Sequence, residues 1–248
     1  MDLLNKTILI TGASDGIGEV LAVEFSKLGS NIILLGRDPE KLDKVYDQLD
    51  QSFSSQKHLI LQADLNLLNN ESAHEILRAI TGEFTCLDGI IHNAAILGTM
   101  TTLEDYELSK WDEVLNINLR APFLLTKTLK SILEDSTLPR IIFTSSGVAN
   151  IGRAFWGAYS VSKFGLKGLA EIFANELETT SSIKVFNFDP GATKTKMRSS
   201  ARPAEDPNSI KTPHALIDCY LWFFSEESSN STEKYYEYAD LSKKVTST

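Results

Sequence analysis

Thr7-Ile8-Leu9-Ile10-Thr11-Gly12-Ala13-Ser14-Asp15-Gly16-Ile17-Gly18 is the stretch on which the fold turns. Three aliphatic residues between threonines read as a short strand buried on both faces. Glycines then open a tight turn, and Ile17–Leu28 reads as a helix. Strand, glycine turn and helix in that order are the setting of a dinucleotide-phosphate site. Glycine permits positive φ and lets the backbone approach a pyrophosphate. The helix N-terminus adds free N–H groups and a partial positive charge. Gly12, Ser14, Asp15, Gly16, Ile17 and Gly18 are the candidate contacts. A purely structural turn is the competing reading, and the flanking strand and helix weigh against it.

Similar segments recur along the chain. Thr7–Thr11, Asn31–Leu35, His58–Gln62, Gly89–His92, Arg140–Thr144 and Lys184–Phe188 read as strands, with Tyr235–Ala239 as a seventh. Runs such as Ile32-Ile33-Leu34-Leu35 are continuous rather than alternating, the pattern of a parallel sheet covered on both faces. Between them, Ile17–Leu28, Pro39–Leu49, Glu71–Phe84, a long Leu108–Glu134, Ala158–Glu178 and Thr212–Ser225 read as helices. Strand–helix alternation with right-handed crossovers predicts an α/β fold. Its form is a Rossmann-type, doubly wound parallel sheet of about seven strands in a three-layer αβα sandwich. No repeat or composition shift divides the 248 residues, so 1–248 reads as one domain. Ala192–Pro213, with Pro203, Pro207 and Pro213, reads as a structureless loop after the sixth strand and is expected to be a substrate lid. Residues 240–248 read as a polar tail.

A formal net charge of −9 excludes long-range attraction for nucleic acid or anionic lipid. Cys86 and Cys219 are far apart and without metal-ligand spacing, so they read as reduced structural thiols and no metal site is expected. The N-terminus has no apolar leader pattern, and no uncharged run approaches the length of about 18 residues that spans a membrane. A soluble cytoplasmic protein is expected.

The end of the second strand reports on a nucleotide ribose. An acid there bonds a 2′-hydroxyl, whereas an arginine accommodates a 2′-phosphate. Leu35-Gly36-Arg37 has glycine in the acid's place and arginine after it. NADP(H) is therefore favoured, with NAD(H) possible; the bland alternative pairs Arg37 with Asp38 or Glu40. Asp64, closing the third strand, is a candidate acceptor for the adenine amino group or else a helix N-cap.

Tyr159-Ser160-Val161-Ser162-Lys163 sets a phenol and an ammonium four residues apart on one helix face. A free tyrosine titrates near 10, so a base at neutral pH needs a drop of about three units. A cation at about 4 Å contributes about 4 kcal/mol at an effective dielectric of 20, which is of that size. Lys163 is therefore expected to depress Tyr159 and make it an acid/base. Ser146, just past the fifth strand, is placed to hold a carbonyl while charge grows on its oxygen; Ser145 competes for the role.

On these residues the chain resembles the single-domain branch of the short-chain dehydrogenase/reductase family. Thr11–Gly18 matches its TGxxxGxG, Asn116-Ile117-Asn118-Leu119 its NxNL, and Ser146 the serine thirteen residues before the tyrosine. Tyr159 and Lys163 match YxxxK, and Pro190-Gly191-Ala192-Thr193-Lys194-Thr195 looks like PGxxxT. GASDGIG, LLGR, FTSS and WGAYSVSKF are similar, more narrowly, to the YciK-like bacterial oxidoreductases. The resemblance implies a nicotinamide-dependent oxidoreductase with a tetrad of Asn118, Ser146, Tyr159 and Lys163. In it the serine orients the carbonyl and the tyrosine moves the proton. The lysine binds ribose and lowers the tyrosine pKa, and the asparagine holds a relay water. The resemblance also implies cofactor contacts at Leu65 beside Asp64, at Asn93 and Ala94, at Tyr159 and Lys163, and at Pro190, Gly191, Thr193 and Thr195. A homodimer through Leu108–Glu134 and Ala158–Glu178 is implied too, with a tetramer left open.

There are departures. The family's NNAG is His92-Asn93-Ala94-Ala95 here. The Ala95 methyl is expected to shift that edge of the ribose site, and His92 reads as a satisfied strand-end histidine. Phe155, Trp156 and Met197 are candidates to line an apolar pocket beside the tyrosine. Lys194, Lys196, Arg198 and Arg202 cluster in the lid, either as solvated charges or as contacts for an anionic group. The reading that results is an NADP(H)-dependent oxidoreductase of small or medium carbonyl and alcohol substrates, without nucleic-acid or membrane partners. A 3-ketoacyl thioester reductase and a non-catalytic NADP-sensing module are the alternatives.

Overall fold

A computed structural model describes residues 3–49 and 56–246. Seven strands form one parallel sheet: β1 (Thr7–Thr11), β2 (Asn31–Gly36), β3 (Leu59–Gln62), β4 (Gly89–His92), β5 (Arg140–Thr144), β6 (Lys184–Asp189) and β7 (Tyr235–Glu237). Their order across the sheet is β3-β2-β1-β4-β5-β6-β7. The continuous apolar runs divide by period two between two cores. Leu9, Ile33, Ile90, Ile141 and Val185 face one core, completed by α3 (Asn70–Glu83), α5 (Ala121–Glu134) and α6 (Gly157–Glu178). Ile8, Ile10, Ile32, Ile142 and Phe186 face the other, completed by α1 (Gly16–Ser26) and α2 (Pro39–Tyr46). This is the Rossmann-type αβα sandwich that the patterning predicts.

Three expectations need correction. The long helix is not continuous α-helix. α4 (Leu108–Leu115) passes into a π turn, Asn116–Arg120, before α5, and Ala121 N–H bonds Asn116 O five residues back. Pro122 has no N–H to give the Asn118 carbonyl four residues earlier, so the α pattern cannot run unbroken there. The supposedly structureless stretch after β6 contains α7 (Lys196–Ala201) and is tied at its base, where Thr193 bridges Lys211 and Lys194 N–H bonds Lys211 O at 2.8 Å. After α8 (Ile217–Phe223) and the short α9 (Glu226–Ser229), β7 stops at Glu237. The expected polar tail carries α10 (Tyr238–Thr246), which buries Leu241 against the second core; residues 247 and 248 lie outside the described residues.

The chain moves from β1 outward to β3, then returns to the other side of β1 at β4. Doubly wound sheets bind ligands at the carboxyl ends of strands flanking such a reversal.

Candidate active site

A cleft of about 380 Å³ opens beyond the carboxyl ends of β1, β4, β5 and β6. The glycine turn forms one wall. Gly12 has φ +65°, and a Cβ there would lie 2.8 Å from Ala94 Cα. A Cβ at Gly18 would fall on the Gly12 carbonyl oxygen and 2.7 Å from Asn93 Nδ2. Only glycine lets the turn and the β4 end approach this closely. The turn is stitched to that end. Thr11 Oγ1 accepts the N–H groups of Asn93 and Ala94, each at 3.0 Å, and Asn93 Nδ2 donates to Thr11 O at 3.2 Å. Asp15 caps α1 in extended backbone without a side-chain cap bond, and Gly16 and Ile17 N–H have no side-chain acceptor among the described residues. Ser14 and Asp15 line the same wall.

The fold brings Ser146, Tyr159 and Lys163 into the wall of the same cleft. Tyr159 and Lys163 are buried on α6, and the Ser146 hydroxyl lies near enough to the phenol to pull its pKa down. Ser145 also lines the cleft, but its hydroxyl is buried and makes no hydrogen bond among the described residues. Asn118, in the π turn, stands behind this wall. Its Oδ1 accepts from Ile96 N–H at 2.9 Å, and its Nδ2 donates to Ile96 O at 2.9 Å and Ser162 Oγ at 3.0 Å.

The protein groups around Tyr159 raise its pKa by burial. The Lys163 ammonium donates to Thr144 O at 2.7 Å and lies 5.7 Å from the Tyr159 ring centroid. Burial pushes the phenol up to about 12, the Ser146 hydrogen bond pulls it down, and the Asp189 charge adds to the rise. Burial also lowers Lys163 to about 8, against the opposing pull of Asp189. Desolvation is the largest influence on both groups, and it favours the protonated phenol and the neutral amine.

Asn93, Ala94, Ala95, Pro190, Gly191, Thr193 and Thr195 line the cleft; Gly18, Asn118, Arg37, Asp64 and Leu65 do not. Arg37 is exposed at the end of β2 and makes no ion pair among the described residues; Asp38 pairs with Lys41 instead, at 3.6 Å. Ser14 sits beside that strand end, its Oγ 3.5 Å from where a Gly36 Cβ would be. Asp64 does not cap a helix. Its Oδ1 accepts Asn66 N–H at 2.9 Å, and α3 is capped by Asn69; Leu65 is buried.

His92 is buried, stacked on Phe143, and pushed down to about 3 by burial. Its Nε2 meets Thr126 Oγ1 at 2.9 Å, while Nδ1 has no partner among the described residues, so it is only half satisfied. Trp156 and Met197 line the cleft, but Phe155 does not; it is 55% exposed. The lid cations are mostly engaged. Lys196 pairs with Asp15 at 2.7 Å, Arg198 chelates Glu205, and Lys194 donates to Asn208 at 3.2 Å. Arg202 lies 5.7 Å over the Trp156 ring. Thr144 and Asp189, both in the cleft wall, were not legible as site residues. An aspartate directly before Pro190-Gly191 was the available signal. Among the described residues no cluster of three or more His, Cys, Asp or Glu is placed to hold a metal, and no helix is long and apolar enough to cross a membrane.

Comparison with known proteins matches this architecture. The short chain dehydrogenase family profile matches residues 6–206. The oxidoreductase YciK of Escherichia coli (strain K12) is 38% identical, over 93% of this chain and 91% of its own. A short chain dehydrogenase of Shigella flexneri 2a, complexed with NADP, superposes with a TM-score of 0.90 at 37% identity, covering 96% of this chain and 99% of that one. One from Escherichia coli CFT073, complexed with NADPH, gives 0.90 at 36% identity, covering 96% and 98%.

Proposed function

The chain belongs to the short-chain dehydrogenase family and is an oxidoreductase, and we propose that it is an NADP(H)-dependent reductase of small or medium carbonyl compounds, reversible on the alcohols. The observation that carries this reading is a buried Tyr159 with Ser146 and Lys163 beside it, lining the same cleft as the glycine turn.

The residues present fit a dinucleotide. The turn has no room for a Cβ at Gly12 or Gly18, Gly16 and Ile17 N–H are open, and Arg37 is free of acids among the described residues. In this reading Gly12, Ser14, Asp15, Gly16, Ile17, Asn93 and Ala94 hold the pyrophosphate and ribose, with Gly18 packing the turn. Arg37 takes the 2′-phosphate, Asp64 and Leu65 flank the adenine, and Pro190, Gly191, Thr193 and Thr195 meet the carboxamide. Complexes of two relatives with NADP and NADPH support the choice of NADP(H). When bound, the nicotinamide supplies or accepts the hydride.

The chain's own residues handle the carbonyl oxygen. Ser146 Oγ orients it, and Tyr159, protonated at neutral pH because burial holds its pKa at about 12, donates the proton. Lys163 supplies positive charge beneath the phenolate that forms and bonds the ribose. Asn118 ties Ile96 to α6 and continues the proton path through a water. Residues 192–213 cover the substrate, with Trp156 and Met197 beside it. A homodimer through α5 and α6 belongs to this reading, supported by the exposed apolar positions Phe123 of α5 and Val161, Phe164 and Ile172 of α6. The two free thiols suit a cytoplasmic setting.

The test is a panel of ketones and aldehydes with NADPH, comparing wild type with Tyr159→Phe. Wild type should turn over at least one carbonyl, and the variant should lose about 10²–10⁴-fold while binding NADPH undiminished. If both proteins bind NADPH tightly and are equally inert across the panel, the protein is an NADP sensor and not a reductase.

A further inference from the structure

Period-two alternation puts Asp189 on the Val185 side of β6, the face that α6 covers, while Phe186 and Phe188 face the other core. Phe188 is the register partner of Thr144, whose carbonyl holds the Lys163 ammonium. Asp189 therefore stands one residue beyond the strand pair that anchors the lysine. It is 7% exposed and lines the cleft. Its Oδ1 accepts Gly191 N–H at 2.8 Å, and Oδ2 accepts no hydrogen bond among the described residues.

The titratable groups that feel this carboxylate come from four elements. Tyr159 and Lys163 belong to α6, Tyr220 to α8, Tyr235 and Glu237 to the β7 strand, and Lys211 to the segment before α8. Two of them are cations. Lys211 already donates to Ala192 O at 2.9 Å and lies 4.1 Å over the Tyr238 ring. Lys163 is 2% exposed, and among the described residues its hydrogen bond is to a neutral carbonyl. A buried ammonium needs an anion near it, and for Lys163 Asp189 is the carboxylate whose charge acts on it.

We propose that Asp189 is a positioning residue that keeps Lys163 in its ammonium form beneath Tyr159, and so sets the alkaline limit of catalysis. This rests on the oxidoreductase reading of the site. The competing view makes Asp189 a turn cap for Gly191 and nothing more.

Asp189→Asn keeps an oxygen for Gly191 N–H and removes the charge. In the full chain, Lys163 is titrated by NMR of ¹³Cε-labelled lysine, its signal assigned with Lys163→Met. Its midpoint should fall by about one unit, a tenfold loss of proton affinity. Loss of the anion lowers the pKa of Lys163 and of Tyr159 alike. The alkaline limb of kcat/KM for carbonyl reduction should therefore move to lower pH by a similar amount. Asp189→Ser repeats the removal if the first variant does not fold, and Asp189→Glu should restore the limb. A Lys163 midpoint and an alkaline limb that coincide with wild type in the charge-free variants would overturn the proposal, leaving the turn cap. A shifted midpoint in a protein that reduces no carbonyl would uphold the charge-holding role while defeating the reductase reading.

Discussion

Lys163→Met is expected to give a protein that is more stable and catalytically dead. The ammonium is 2% exposed, and burial takes it from 10.5 to about 8. The unfolded chain therefore holds this proton more tightly than the fold does. The stabilising contribution is full above the unfolded value of 10.5 and is lost as pH falls through about 8. A shift of that size opposes folding by roughly 3 kcal/mol at neutral pH. Methionine removes the charge and keeps the apolar stem, but it leaves Thr144 O without its 2.7 Å donor. An orphaned buried carbonyl costs about 1–3 kcal/mol. The difference leaves the variant about 1 kcal/mol ahead at neutral pH, or about 2–4 °C in Tm for a chain of this length. Urea unfolding of both proteins, repeated from about pH 7 to about pH 10, reads the effect. The advantage should shrink as pH rises and reverse once the wild-type lysine is neutral and still a donor. Tyr159 titrates above this window, so it does not blur the comparison. A variant clearly less stable at neutral pH, or a gap that stays constant across the range, would show that the fold solvates the ammonium, and the reasoning would be wrong.

Arg37→Ala should weaken NADPH about tenfold or more and leave NADH binding unchanged, measured by calorimetry; equal losses for both cofactors would remove the 2′-phosphate role. Arg140 is fully buried and donates to Phe223 O at 2.7 Å, Pro139 O at 3.1 Å and Ser225 O at 3.2 Å. Each of these carbonyls costs about 1–3 kcal/mol when orphaned, while removing the guanidinium, which burial lowers from 12.5 to about 10, returns roughly 3 kcal/mol, so Arg140→Met should cost about 3 kcal/mol in denaturant unfolding, and a variant as stable as wild type would contradict this.

Much of the site could be read directly from local pattern. The spacing of Gly12, Gly16 and Gly18 follows from stereochemistry within one turn and its nearest neighbour, so a strand–turn–helix reading located it. Tyr159 and Lys163 share a helix face because they are one turn apart. The strands of the sheet were legible because double burial demands continuous apolar runs, which composition along the chain displays. The π turn at Asn118 was less so, although Pro122 carries the signal: its missing N–H interrupts the ladder four residues back. α7 in the lid and α10 at the end were hidden because each is short and held by partners distant in sequence, Asp15 for Lys196 and the second core for Leu241.

What the amino-acid order decided by itself is the identity and local spacing of the reactive groups, together with the alternation that builds the sheet. Tertiary structure alone decided their protonation. The Lys163 ammonium turned to Thr144 O rather than to the phenol, burial raised Tyr159 instead of lowering it, and Asp189 arrived from β6 as a counter-charge to the ammonium and a like charge to any phenolate. The reason is that backbone geometry depends on neighbours along the chain, whereas the cost of a charge depends on everything packed around it, and only the closed fold sets that density.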